Sequence, residues 1–569
     1  MAARLMSTSS LARSEPAVLI LDVSAACALA VAILVGVHGG LQVELGSTRL
    51  SAHGPGRALL AGGILLGLRL LLTRELHGAG FGRILFRVGL GALLAATLAT
   101  WLLSLVPWCG GADSYGYVSA SRLLRSFRLS DSAAIASYLP VPDPLRVAAP
   151  LGYVPAVREE AIVPGYPLGL PLVMAAFAAV FGDGAEFYVS PVVAAGALAA
   201  AFGIARAFAD VTAGWLSAFL LAITPILVNQ AVQPMSDTAA TFWLLLAFWL
   251  LVRAQERQGW WLAAGAAAGM VFLTRPVLLP ATVALLGVAG AIGGRRAAIL
   301  FCAAFAPFVF FQGWLHWRLY GSILASGYGS GSQLFAIGRL PGNFVEYFTW
   351  LNYSMSPVFL ITFAAALFGS TPFWLRAAVV VVFSAVAAPY LFYFTYDDWQ
   401  DTRFLLPGMA LAVILCGITI RNLVARWASP AVAPLVLLAI AVAAAVASYR
   451  FLDRHHTLAL ARVEARYPRV AEWIDRVAPE RTVVLALLHS GSVRFYAGRP
   501  TARWDQMTSE ELAAAIAALS ARGWNTWAVV DGPAESEAFW PRVEQQRAVL
   551  AVEPKERIAG VDILALRVR

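Results

Sequence analysis

Apolar stretches recur along this 569-residue chain from Ala17 to Tyr449, and they limit its fold more than any other feature. Many reach the ~20 residues that a helix needs to cross a bilayer. Hydrophobic residues make up 60% of the sequence and charged residues 13%, too little charge for a typical soluble domain. Backbone groups in hydrocarbon must bond to one another, so these stretches are helices or strands of a closed barrel. The alternating segments of a barrel do not occur, so the sequence predicts an α-helical polytopic membrane protein.

We place about thirteen transmembrane helices, at residues 17–37, 57–73, 84–106, 187–208, 214–231, 238–253, 259–276, 277–293, 297–314, 353–370, 376–396, 404–420 and 430–449. An odd number puts the two chain ends on opposite sides of the membrane. Arginines lie in alternate loops, as the pairs Arg74 and Arg83, Arg253 and Arg257, Arg295 and Arg296, and Arg421 and Arg426. Basic residues concentrate in cytoplasmic loops. We therefore expect a bacterial inner-membrane protein with a cytoplasmic N-terminus and periplasmic loops at 107–186, 232–237, 315–352 and 396–403.

The pattern divides the chain into three parts. Residues 1–83 hold two leading spans and a small outer hairpin within 41–53. Residues 84–450 form the main transmembrane module, whose first outer loop, 107–186, ends in an apolar segment too short to span and suited to an interfacial helix. Residues 451–569 are richer in charge, with strands expected at 482–488, 526–530 and 561–568 and a helix at 509–521 opened by a Ser/Glu cap. Strands alternating with helices predict a small periplasmic α/β domain.

Composition also excludes some functions. The formal charge of +9 lies largely in loops, where membrane topology explains it, so we do not expect nucleic acid as a partner. The four cysteines form no CxxC pair and indicate neither a disulfide framework nor a zinc site.

An acid follows the third predicted span directly, in Trp108-Cys-Gly-Gly-Ala-Asp113-Ser-Tyr115-Gly-Tyr117. A carboxylate just outside the bilayer is placed to act as a general base, because apolar surroundings increase a carboxylate's affinity for protons. The alternative is a plain interfacial belt, since Trp and Tyr favour this depth in any membrane protein.

A second acid, Asp237, opens the sixth predicted span at the same membrane level. Either Ser236 or Asp237 is also suited to capping that helix. Two acids converging on one cavity would favour catalysis over capping.

Two arginines lie near the same face. Arg275 interrupts an apolar stretch, where a charge is costly and marks a functional site unless the side chain snorkels outward. Arg403 follows a loop that contains Asp397, Asp398 and Asp401. Its guanidinium is suited either to clamping a phosphate or to pairing with those acids.

The order of these short motifs resembles the GT-C glycosyltransferase superfamily, in particular bacterial relatives of protein O-mannosyltransferases and lipid A aminoarabinose transferases. The resemblance covers about residues 84–449. It rests on Gly-Ala-Asp113-Ser-Tyr-Gly-Tyr, Tyr166-Pro-Leu-Gly-Leu-Pro-Leu, Met235-Ser-Asp237, Leu273-Thr-Arg275-Pro, Tyr320-Gly with Ser326-Gly-Tyr328-Gly, and Arg403-Phe-Leu-Leu-Pro407.

The resemblance implies an inverting transfer of a sugar from a polyprenyl-phosphate donor to a hydroxyl of a glycan, lipid or protein acceptor in the cell envelope. Asp113 matches the family's base, Asp237 its later acid, and Arg403 and Arg275 its phosphate-binding residues. We expect Tyr115, Tyr117, Tyr166, Tyr328 and Asp398 to contact substrate. Ser114 stands where the family often has a second acid. No histidine here matches the metal ligand of some relatives, so a divalent metal stays an open question and no other cofactor is expected.

Two other classes compete with this prediction. A lipid or polysaccharide transporter or flippase without chemistry would show internal repeats and paired broken helices at the midplane, and no convincing repeat is found. A structural or sensory membrane protein would account for a tail without catalytic motifs but not for the first outer loop.

Overall fold

The computed structural model describes residues 6–45, 48–52, 54–73, 78–329 and 331–569. Before the tail, the helices are α1 Met6–His38, α2 Gly56–Thr73, α3 Gly78–Leu103, α4 Asp113–Arg125, α5 Pro144–Ala148, α6 Gly169–Phe181, α7 Val189–Phe208, α8 Val211–Ala222, α9 Pro225–Ala231, α10 Ser236–Arg253, α11 Gly259–Thr274, α12 Leu279–Tyr320, α13 Gly331–Leu334, α14 Leu340–Leu367, α15 Phe373–Tyr390, α16 Leu406–Trp427 and α17 Ala433–Arg454. The strands of this part are β1 Leu41–Leu45, β2 Thr48–Ala52, β3 Tyr153–Pro155 and β4 Ile162–Pro164.

The tail continues with α18 Leu460–Glu464, α19 Arg466–Val477, β5 Thr482–Ala486, α20 Ser490–Ala497, β6 Thr501–Ala502, α21 Ser509–Ser520, β7 Asn525–Asp531, α22 Gly532–Glu544, β8 Leu550–Ile558 and β9 Val561–Val568.

Long apolar helices confirm the predicted multi-pass membrane protein. Within the described ranges, ten helices are long and apolar enough to cross a bilayer, or eleven if α8 and α9, bent by 68°, count as one span. Each of the thirteen predicted spans overlaps a helix. The predicted spans 277–293 and 297–314 correspond to the two helical halves of α12, which a non-helical residue, Gly294, separates, and 259–276 corresponds to the shorter α11.

Helix α16 is the most enclosed of these spans. In its segment Trp399–Trp427, 89% of the apolar window is buried, and its neighbours are α7, α8, α10, α14 and α15. A helix that is apolar on every side belongs in the interior of a bundle. The turn that precedes α16 is therefore held firmly, and this turn carries Arg403.

The predicted hairpin and interfacial helix are both present as elements. Strands β1 and β2 pair antiparallel, and α6 occupies the apolar end of the first outer loop. Arg74, one of the arginines used for topology, lies outside the described residues.

The tail forms a five-stranded sheet in the order β6-β5-β7-β9-β8. The first three strands are parallel, and β9 and β8 are antiparallel to their neighbours. The sequence predicted β5, β7, β9 and α21 but missed β6 and β8. It also misplaced the cap of α21, because Thr508 rather than Ser509 accepts from the Glu511 amide at 3.2 Å, while Glu511 accepts from the Thr508 amide at 2.9 Å.

The sheet packs on the first outer loop and shares a hydrophobic core with it. Tyr115, Val147 and Ala148 of the loop join Leu485 and Trp504 of the tail in one buried cluster. Hydrogen bonds tie the two segments, including one that the Trp108 indole Nε1 donates to the Ala461 carbonyl oxygen at 3.2 Å. The tail thus packs against the segment that leads to Asp113 and holds it in place.

Candidate active site

A cavity of about 540 Å³ lies where α4, α10, α11, α12 and the turn before α16 meet. Seven of the nine predicted site residues line it: Asp113, Tyr117, Tyr166, Asp237, Arg275, Tyr328 and Arg403. These side chains come from six separate segments of the chain. The fold therefore brings together most of the residues that the sequence motifs predicted for the site.

Asp113 and Arg403 form an ion pair across the cavity. Arg403 Nη1 lies 3.3 Å from Asp113 Oδ2, and both side chains are partly buried. Asp401, in the loop that precedes Arg403, does not pair with this arginine. It accepts a hydrogen bond from the Tyr396 amide at 2.7 Å instead. Arg403 Nε is buried with no hydrogen-bond partner among the described residues. One donor of its fork is thus unused.

A second pair joins Arg275 to Asp237, whose side chain is 4% exposed. Asp237 lies in the first turn of α10, and no side chain caps this helix, so its role is not capping. Arg275 does not snorkel outward, since its guanidinium lies 5.3 Å from the ring centre of Phe404 and 5.8 Å from that of Tyr390. The aromatic rings hold the arginine at the cavity wall.

Tyrosine rings form the third feature of the cavity. The Tyr166 ring lies 5.0 Å from that of Tyr117 and 5.6 Å from that of Tyr328. Gly327 makes this placement possible, because a Cβ there would lie 2.3 Å from the Gly165 carbonyl oxygen. The Tyr117 hydroxyl donates to Ser236 Oγ at 2.8 Å, which links α4 to the start of α10.

These phenols stay protonated at neutral pH. Burial, assisted by the charge of Asp113, raises the pKa of Tyr117 to about 12. The same two causes raise the pKa of Tyr166 well above its ordinary value. Both side chains are therefore hydrogen-bond donors and acceptors, not bases.

Two predicted residues lie outside the cavity. The Tyr115 ring packs 5.7 Å from that of Tyr153 and 6.5 Å from that of Phe495, in the core shared with the tail. Tyr115 and Tyr117 are two residues apart on α4, and positions two apart point to different faces of a helix. Asp398 is exposed and accepts from the Gln400 amide at 2.8 Å, capping the turn before α16.

The cavity also contains residues that sequence reasoning missed. Gln312, His316 and Tyr320 line it from one face of α12, and Tyr390 and Phe404 line it beside Arg275. The four-residue spacing of Gln312, His316 and Tyr320 could have indicated that they face one cavity, because residues four apart share a helix face. The many apolar and aromatic neighbours concealed it.

The residues present do not form a metal site. No group of three or more His, Cys, Asp or Glu that could hold an ion occurs in the part of the chain that the structure describes. The two cavity acids each face a guanidinium, and these positive charges oppose a divalent cation. No step below is therefore assigned to a metal.

Known families and structures share this architecture. Residues 166–317 match the family model described as dolichyl-phosphate-mannose-protein mannosyltransferase. The crystal structure of ArnT from Cupriavidus metallidurans bound to undecaprenyl phosphate superposes with a TM-score of 0.54 at 14% identity, covering 83% of this chain and 97% of that chain. The Archaeoglobus fulgidus oligosaccharyltransferase tethered to an acceptor peptide gives a TM-score of 0.50 at 13% identity, covering 77% of this chain and 68% of that one. No curated protein matches the sequence.

This chain has the GT-C fold. The resemblance seen in the short motifs is therefore confirmed at the level of the fold. The matched family region, 166–317, contributes Tyr166, Asp237 and Arg275 to the cavity of this GT-C chain. Asp113 and Arg403 come from outside that region. The matched region therefore supplies one ion pair of the cavity, Asp237 with Arg275, and segments outside it supply the other.

Proposed function

We propose that this GT-C protein is a glycosyltransferase that moves a sugar from a polyprenyl-phosphate donor to a hydroxyl of a glycan, lipid or protein acceptor in the cell envelope. The observation that carries the proposal is the pair of carboxylate–guanidinium contacts in one cavity, Asp113 with Arg403 and Asp237 with Arg275. This transfer needs a carboxylate that takes the proton of the acceptor hydroxyl and a cation that stabilises the leaving phosphate.

The arginines are assigned to the phosphate of the donor. A guanidinium binds two phosphate oxygens through its planar fork, and Nε of Arg403 has no hydrogen-bond partner among the described residues. A bound phosphate would compete with Asp113 for Arg403 and so release the carboxylate at the moment when a base is required. The undecaprenyl phosphate in the ArnT structure is a precedent for such a ligand in this fold.

Asp113 is assigned as the general base. The acceptor oxygen attacks the anomeric carbon and its proton passes to Asp113, while the bond from that carbon to the phosphate oxygen breaks. Attack opposite the leaving group inverts the anomeric carbon. The polyprenyl phosphate leaves as an anion and stays with Arg403 and Arg275. Asp237 keeps Arg275 directed into the cavity and is the second acid of the site.

The same proposal fixes a location for the reaction. A lipid-linked donor and an envelope acceptor meet at the periplasmic face of a bacterial inner membrane. Arg253, Arg257, Arg421 and Arg426 lie at the ends of α10 and α16 remote from the cavity, which suits a cytoplasmic position for those ends.

Purified protein in lipid nanodiscs tests the proposal. We expect release of undecaprenyl phosphate from an undecaprenyl-phosphate-linked sugar only when an envelope extract supplies the acceptor, and a new glycoside in that extract. Asp113→Asn should abolish most of this release, whereas Asp143→Asn, an exposed acid of the same loop, should not. Movement of the intact labelled lipid across a vesicle bilayer without bond cleavage would favour a flippase instead.

A further inference from the structure

Three polar side chains follow one another at four-residue intervals on α12 and face the cavity: Gln312, His316 and Tyr320. The opposite face of this helix is apolar and exposed, with Phe310 and Trp314 among its residues. Gln312 is only 3% exposed. A row of polar side chains on the inner face of a largely apolar helix indicates a role inside the cavity.

Half of the Gln312 amide lacks a partner. Its Nε2 lies 2.6 Å from Nε2 of His316, whereas Oε1 is buried with no hydrogen-bond partner among the described residues. An exchanged amide orientation would satisfy Oε1 from the imidazole and leave the NH₂ group free instead. In both orientations one strong hydrogen-bonding group of Gln312, a residue that lines the cavity, has no partner among the described residues. Such a group is unfavourable unless a ligand supplies the partner.

The charges of the cavity limit the chemistry of that ligand. Each of the two cavity acids faces an arginine, so neither is free to bind an ammonium group. The nearby phenols of Tyr117, Tyr166 and Tyr328 are uncharged donors and acceptors. Uncharged hydroxyl groups, which both donate and accept, match an amide and several phenols.

The position of Gln312 favours the donor over the acceptor. Gln312 precedes the outer end of α12 at Tyr320 by eight residues, a depth of about 12 Å along the helix at ~1.5 Å per residue. The donor is attached to a lipid and approaches from the membrane, whereas an envelope acceptor approaches from outside. The deeper wall of the cavity therefore faces the donor's sugar.

We propose that Gln312, oriented by His316, forms a subsite that binds hydroxyl groups of an uncharged sugar on the lipid-linked donor. This inference rests on the proposed function, because it assumes a lipid-phosphate sugar in the cavity. Gln312 touches the sugar, and His316 is a positioning residue that fixes the amide. The subsite distinguishes a sugar-loaded lipid from the bare lipid phosphate, which the arginines bind alone.

Binding measurements on the full chain in nanodiscs test the subsite with four probes: undecaprenyl phosphate and its mannosyl, glucosyl and 4-amino-4-deoxyarabinosyl derivatives. We expect wild type to bind at least one of the neutral loaded lipids more tightly than either the bare or the amino-sugar lipid. Gln312→Leu keeps the volume and should weaken that preferred contact about tenfold, the scale of one hydrogen bond. Its affinity for undecaprenyl phosphate should not change.

Two controls make the result specific. Gln258→Leu, at an exposed site on the far end of α11, should bind every probe as wild type does. His316→Leu should imitate Gln312→Leu, while His316→Asn, which can still hydrogen-bond the amide, should retain part of the preference.

The outcomes separate this subsite from the function on which it rests. Equal affinities of wild type for bare and sugar-loaded lipid, a preference for the amino sugar, or an unchanged preference in Gln312→Leu would each overturn the subsite while leaving phosphate binding intact. Failure of wild type to bind undecaprenyl phosphate at all would contradict the proposed function itself. Melting temperatures of the same samples identify any variant that has lost its fold.

Discussion

At the scale of single residues, Asp113 and Arg403 form an ion pair in the cavity. The pair is separated by 290 residues in sequence and is only partly shielded, with 29% of the Asp113 side chain and 20% of the Arg403 side chain exposed. A contact of this kind is readily exchanged for a ligand, because its net energy is small. On donor binding, Arg403 should contact the phosphate and Asp113 should be released to act as the base. Variants of Asp113 should therefore lower turnover, and variants of Arg403 should lower donor affinity.

Asp113→Asn should separate catalysis from binding. The amide keeps the size of the side chain but cannot accept a proton, so we expect turnover to fall by about two decades or more. Undecaprenyl phosphate should bind at least as tightly as in wild type, because the phosphate no longer has to displace the Asp113 carboxylate from Arg403. Rates with Asp143→Asn give the baseline. Turnover near the wild-type level in a folded Asp113→Asn protein would place the base elsewhere.

Arg403→Lys should weaken donor binding although the charge is preserved. A lysine cannot reproduce the fork that grips two phosphate oxygens, so we expect the affinity for undecaprenyl phosphate to fall several-fold, and further in Arg403→Ala. Arg128→Lys, on the exposed part of the first outer loop, is the matched control. An unchanged affinity in Arg403→Ala would assign the phosphate to Arg275 or to backbone amides.

At the scale of elements, the contact between the tail and the first outer loop positions the catalytic motif. Gly110 packs directly on Tyr467 of α19, and a Cβ at Gly110 would lie 2.1 Å from the Tyr467 ring. The Cys109 amide also donates to the Tyr496 hydroxyl of α20 at 2.8 Å. These contacts lie immediately before Asp113, so a shift of the loop there changes the direction of the base.

Gly110→Ala should lower both stability and turnover. Inserting a methyl group into a close contact costs about 1–3 kcal/mol, and part of the strain should move Asp113. Removing the ring in Gly110→Ala/Tyr467→Ala should recover turnover relative to Gly110→Ala, a coupling that a double-mutant cycle measures. Gly342→Ala, where a Cβ meets nothing within 4 Å, is the control. Additive effects of Gly110→Ala and Tyr467→Ala would show that this contact does not position the base.

Sequence reasoning succeeded for elements whose residues share one physical property. Long apolar helices and the apolar strand β5 were predictable, whereas β8 was missed because Glu553 and Lys555 give it the composition of a solvated loop. The charged residues that line the cavity were also selected from the sequence. The pair of Asp113 with Arg403 was not predictable, because 290 residues separate the two in the chain and only the fold brings them together. Gln312 was hidden within an apolar span.

At the scale of the whole molecule, the cavity and the tail lie at the same end of the helix bundle, and therefore on one side of a membrane that these helices span. The segments that line the cavity include the start of α4, the start of α10, the end of α11, the end of α12 and the turn before α16. The tail packs on the same first outer loop, with Arg494 of α20 bonded to Asp131 at 2.8 Å. The cavity and the tail therefore share one side, whether or not the leading helices α1 and α2 are counted as spans.

The final prediction assigns that side to the periplasm. The opposite ends of α10 and α16 carry Arg253 and Arg426, and α12 carries Arg295 beside its break at Gly294. Cytoplasmic loops collect such charges, so an alkaline phosphatase fused after Arg569 should be active and a cytoplasmic reporter at that point inactive. The same two reporters placed in the 254–258 loop should give the reverse result. An inactive phosphatase after Arg569, together with an active one at 254–258, would invert the molecule, put Asp113 and the tail in the cytoplasm, and remove the envelope acceptor from reach of the cavity.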